Sequence, residues 1–113
     1  MLWLKVSSIS GASAIAIAAM FAHKLKGGAL EFEAIFKTAS TYHLLHSGVM
    51  MASALNFTGR KRNIVCSLLA CGIVFFSLPL YIVSLRQDRS VFGKFTPVGG
   101  MSLIFAWLAI GFL

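Results

Sequence analysis

The run 64-IVCSLLACGIVFFSLPLYIVSL-85 decides the fold. It carries no charged side chain from Ile64 to Leu85, and it is bounded by Arg62 and Arg86. A run of about 20 apolar residues is the length a helix needs to cross the roughly 30 Å hydrocarbon core of a bilayer. Pro79 interrupts the run near its end and predicts a kink or loosened last turns, because proline lacks the N–H that an interior helical position donates. Cys66 and Cys71 fall on different sides of such a helix. Their Cα atoms would be about 8 Å apart, too far for a disulfide, so both read as small packing residues.

The rest of the chain agrees with a lipid solvent. Of 113 residues, 58% are hydrophobic and 12% charged, where soluble domains carry about 25% charge. Mean hydropathy is +0.87. A water-soluble domain of this size could not bury that much apolar surface. The predicted fold class is an all-α membrane protein, a single domain over 1–113 in which four transmembrane helices form a compact bundle. The spans are expected at about 6–22, 42–57, 64–85 and 98–113. The N-terminal apolar run is too long for a secretory signal and ends in His23-Lys24 rather than a small-residue cleavage site, so it reads as a retained first span. The last span, at about 24 Å, is short for the core and needs bilayer thinning or a protein neighbour.

Span one is rich in Ser, Gly and Ala. Ser7, Gly11 and Ile15, and likewise Ser8, Ala12 and Ala16, recur every four residues. Small residues let membrane helices approach closely, so this helix is expected inside the bundle. After HKLKGG, the segment ALEFEAIFKTAS is amphipathic: Glu31, Glu33 and Lys37 face water while Phe32, Ile35, Phe36 and Ala39 do not. It is expected at the membrane interface, running into span two. Glu31 and Glu33 are two apart, do not share a helix face, and make a poor catalytic pair.

The net charge of +7 would suit nucleic acid, but its distribution excludes that partner. The ten Lys and Arg sit in short connections and near the N-terminus. Arg60, Lys61 and Arg62 fill one tight turn and are expected to contact anionic lipid headgroups. Four cations lie on one side of the membrane and six on the other, so the positive-inside rule leaves orientation open.

One constellation of polar residues falls within the spans. His43 and His46 are three apart on one helix. Counting back from Arg60 at 1.5 Å per residue puts them about 25 and 21 Å away, in the opposite leaflet. His23, Tyr42, Tyr81 and Thr96 are expected near the same face. Three readings compete. The groups hydrogen-bond across helices, at about 0.6 kcal/mol each. Or His43 and His46 ligate a metal or haem, although neither Cys-Cys-His nor Glu-x-x-His is present. Or they handle protons or a small ligand, although no span carries an acidic residue to continue a relay.

These motifs, in order, carry a resemblance: Ala22-His23-Lys24-Leu25, then Thr38-Ala39-x-x-Tyr42-His43-x-x-His46, then Phe76-Ser77-x-x-Leu80-Tyr81, then Thr96-Pro97-Val98-Gly99-Gly100 with Trp107. Together they resemble the transmembrane protein 256-like family, also called the domain of unknown function 423 family, over almost the whole chain. The resemblance implies four membrane helices and no established enzymatic activity. The chain departs from the family pattern where Pro79 stands in Phe76-Ser77-Leu78-Pro79-Leu80-Tyr81; members often have Ser-Gly-Ser-Leu-Tyr there. A bulkier corner is expected to fill space that glycine leaves open.

The resulting expectation is a non-enzymatic protein without a cofactor, an accessory subunit of a larger membrane complex, respiratory among the options. Its partners would be membrane lipids and other membrane subunits. A small transporter or channel component is the alternative, since Pro79 and Gly99-Gly100 hint at broken helices; a haem- or metal-binding protein using His43 and His46 is the other. The chain stops with span four, without the basic tail of some bacterial members. The expected location is therefore the mitochondrial inner membrane, with a bacterial plasma membrane as the alternative.

Overall fold

The π-helical turn Ile73–Ser77 is the structure's answer to Pro79. In an α-helix the Pro79 ring would clash with the Phe75 carbonyl and leave it without its N–H partner. Widening the preceding turn to i→i+5 spacing accommodates this without ending the helix. The flanking residues Gly72 and Leu78 keep ordinary helical dihedrals. The predicted kink is therefore a local bulge, and the helix runs on from Gly59 to Arg86.

The computed structural model describes the backbone of residues 2–25, 30–86 and 95–113, and their side chains except at 22–25, 30 and 95. The connections 26–29 and 87–94 and the His23 side chain lie outside the described residues. Four helices result: α1 Leu2–Leu25, α2 Leu30–Asn56, α3 Gly59–Arg86 with its π turn, and α4 Phe95–Phe112. Leu2–Phe21 and Gly59–Arg86 are long and apolar enough to cross a membrane, and Thr96–Phe112 is a shorter apolar helix. The amphipathic segment is the continuous first part of α2. Glu31 and Glu33 sit in its first turn, where the helix dipole favours them. Lys37 Nζ lies 3.6 Å from Glu33 on the same surface.

The helices run alternately up and down. Ser10 meets Ser47 and Ser13 meets His43, so α1 and α2 are antiparallel. Cys66 donates to the Met50 carbonyl and Ser77 to the Ala39 carbonyl, which sets α3 antiparallel to α2. Ser102 donates to the Leu68 carbonyl at 2.8 Å, which seats α4 on α3. Trp3 Nε1 donates to Asn63 Oδ1 at 3.0 Å and ties the starts of α1 and α3 together at one face.

Among the described residues, polar side chains are buried beside the apolar core while large apolar side chains face outward. The buried polar side chains are Ser7, His43, His46, Ser47, Ser53, Ser77 and Ser84, while Ile9, Ile15, Leu45, Leu55, Ile104 and Phe105 face outward. Such an arrangement suits a lipid solvent, where hydrogen bonds between helices replace hydrophobic drive.

The expectation for α1 is corrected. It packs chiefly on α2 and sits at the edge of the bundle. Only 11% of its span is buried, against 50% for α3. Ser8, Ala12 and Ala16 face outward, and so does Ile15. The inward side is Ser7, Ser10, Ala14 and Ile17, a spacing of three and four rather than strictly four, which is what a left-handed helix pair requires.

α3 and α4 approach each other backbone to backbone. A Cβ on Gly99 would overlap the backbone of Phe75 and Phe76 inside the π turn, and one on Gly72 would overlap the Leu103 side chain. Val65, Cys66, Leu69, Met50 and Ala106 fill the core below this crossing.

Candidate functional site

His43 and His46 leave α2 in different directions. A three-residue step turns the helix by about 300°, so the two side chains diverge by about 60°. His43 enters the groove toward α1 and α3, and His46 reaches α4. The structure does not bring them together as a metal pair. Among the described residues no group of three or more His, Cys, Asp or Glu is placed to hold a metal ion.

Around His43, proton counting settles every direction. Ser47 Oγ donates its one proton to the His43 carbonyl at 2.6 Å, one turn back on α2. In its 2.6 Å bond with Ser10 Oγ it must therefore accept, so Ser10 donates. Ser10 then accepts from His43 Nε2 at 3.2 Å, which makes Nε2 the protonated nitrogen of the neutral ring. Nδ1 is left as acceptor and takes the Tyr81 hydroxyl proton at 3.0 Å. Ser13 Oγ lies 3.4 Å from Nε2 as a weaker second acceptor, its own proton given to the Ser10 carbonyl. The chain runs from Tyr81 through His43 and Ser10 to Ser47 and ends on a backbone oxygen.

His46 holds the opposite tautomer. Its Nδ1–H donates to the Tyr42 carbonyl at 2.8 Å, and Nε2 accepts from Trp107 Nε1 at 3.1 Å. Indole has only a donor, so this arrangement has no alternative. The His46 and Trp107 rings meet edge-on at 6.0 Å.

Tyr42 is half exposed and stacks on Phe76 with ring centres 4.8 Å apart. Thr96, in the first turn of α4, makes no hydrogen bond to either histidine; its hydroxyl is buried with no partner among the described residues. Arg60, Lys61 and Arg62 open α3 at the face marked by Trp3, and Lys61 Nζ sits 4.3 Å above the Phe57 ring. The turn before them needs Gly59 in the left-handed region, at φ 60°.

Sequence reasoning missed the residues that complete the network. Ser47 stands four after His43, the spacing that returns a hydroxyl to a helical carbonyl, and that signal was available. Ser10 fell outside the four-residue stripe. Trp107 is 61 residues from His46, and nothing local announces that pairing.

Fold and site define a small all-α integral membrane protein with a hydrogen-bonded polar interior. Residues 17–100 match the family described as "Protein of unknown function (DUF423)", and the chain belongs to that family. It is similar to a UPF0382 membrane protein of Staphylococcus saprophyticus, 35% identical over 95% of this chain and 94% of the relative. A Staphylococcus epidermidis UPF0382 membrane protein is 35% identical over 95% and 93%. UPF0382 membrane protein YwdK of Bacillus subtilis is 31% identical over 93% and 89%. No solved structure matches. These relatives are bacterial membrane proteins; they fit a bacterial membrane and lend no support to a mitochondrial one.

Proposed function

We propose that the protein is a non-enzymatic packing subunit of a larger assembly in a bacterial plasma membrane. One observation carries this reading: each nitrogen of both intramembrane imidazoles is committed to a hydrogen bond that joins two turns or two helices. Such groups hold a bundle together and leave neither of these two imidazoles free as a base or metal ligand. The network ends on the His43 carbonyl, a group that cannot pass a proton on, which weighs against a proton path. The outward small residues Ser8, Ala12 and Ala16 of α1, which packs chiefly on α2, support docking by a neighbouring helix. Arg60 and Lys61 at the α3 start would contact anionic headgroups.

The test is native size after gentle extraction. The expected result is migration at many times the 12.2 kDa of one chain. Migration as a monomer or small oligomer would overturn the assembly role.

A further inference from the structure

Between α1 and the π turn the bundle does not close. A cleft of about 220 Å³ opens there toward the membrane. Its apolar walls include Ile17 of α1 and Val74 and Leu78 of α3. Its polar lining is Ser10, His43, Ser77 and Tyr81. An apolar cavity of about 150 Å³ takes a benzene ring, so this one takes the polar end and first carbons of a membrane-dissolved molecule.

The chemistry of the guest follows from where the protons go. Three hydroxyls line the cleft, and each has given its one proton away: Ser10 to Ser47, Tyr81 to His43 Nδ1, and Ser77 to the Ala39 carbonyl at 3.1 Å. His43 has neither nitrogen free. Tyr81 has given its proton to His43, and its oxygen still has lone pairs with which to accept. The cleft therefore offers acceptors and no donor. Carbonyls, ethers and carboxylates find nothing to bond there. An ammonium group would donate, but none of the residues lining the cleft is a carboxylate to offset its charge in lipid.

We infer that this cleft is a binding site for a neutral lipid alcohol, whose hydroxyl donates its one proton to the Tyr81 oxygen while its chain leaves between α1 and α3 into the bilayer. The site needs no partner subunit, so it stands or falls separately from the assembly role.

The experiment uses the full chain in phosphatidylcholine vesicles, whose headgroup donates no hydrogen bond. The probes are a photoactivatable long-chain alcohol and its methyl ether, with adducts mapped by mass spectrometry. The expected result is adducts concentrated on Ile17, Val74 and Leu78, with the alcohol favoured roughly five- to tenfold, the ratio one hydrogen bond sets. Tyr81→Phe should bring that ratio toward one. Val74→Trp, at a half-exposed position, should fill the cleft and abolish adducts at Ile17 and Leu78 without touching the hydrogen-bond chain. Equal labelling by alcohol and ether, even labelling around the lipid-facing surface, or full labelling of Val74→Trp would each overturn the assignment. Where Tyr81→Phe does not fold, the probe pair and Val74→Trp decide.

Discussion

The Gly99 backbone lies directly against the backbone of Phe76, where the π turn of α3 meets the first turns of α4. No side chain separates the two strands of chain, and a single methyl group at Gly99 has nowhere to go.

Gly99→Ala is therefore expected to destabilise the fold by about 1–3 kcal/mol or more, the cost of overpacking, since backbone cannot move aside as a side chain can. Gly111→Ala is the control, because nothing lies within 4 Å of a Cβ there. Thermal unfolding in mild detergent should show a clear drop in Tm for the first and little change for the second. Equal Tm values would remove the close crossing.

The opposite tautomers of the two histidines are directly observable. Long-range nitrogen–proton NMR spectra of ¹⁵N-histidine-labelled protein should show His43 protonated at Nε2 and His46 at Nδ1. A His43 protonated at Nδ1 would break the proton directions deduced from Ser47, and a His46 protonated at Nε2 would break the bond from Trp107.

The His46–Trp107 bond is testable by a double-mutant cycle. His46→Phe, Trp107→Phe and the double variant should give a coupling of about 0.6–1.7 kcal/mol, the range for hydrogen bonds within membrane bundles. Additive losses would mean that the indole and imidazole merely touch.

The outward face of α1 gives the sharpest check on assembly. Ala12→Phe should leave the Tm of the isolated protein unchanged, since Ala12 is exposed in the bundle. The same change should shrink the native particle extracted from the membrane. A particle of unaltered size would place any neighbour elsewhere.

Hydropathy made the helices readable, because an uncharged run such as 64–85 has one stable state in lipid. What it could not supply was facing. In water, the buried side of a helix is betrayed by contrast with a polar side. Around α1 both sides are apolar or small, so a stripe through Ser8, Ala12 and Ala16 looked as good as the inward Ser7, Ser10, Ala14 and Ile17. The histidines were legible as a polar spot at one depth, since depth follows from counting residues. Their divergence toward Ser10 and Trp107 depends on which helix lies on which side, and that is a property of the whole bundle. Pro79 announced a disturbance, but proline alone does not choose between a kink and a π turn.

The ordering of the polar chain also bears on how the protein is made. When only α1 and α2 have been synthesised, Ser10, Ser47 and the Nε2 side of His43 can already join. His43 Nδ1 and His46 Nε2 then stand in lipid as bare acceptors. The third helix brings Tyr81 to the first, and the fourth brings Trp107 to the second. Each newly inserted helix thus finds one unmet demand left by the hairpin before it.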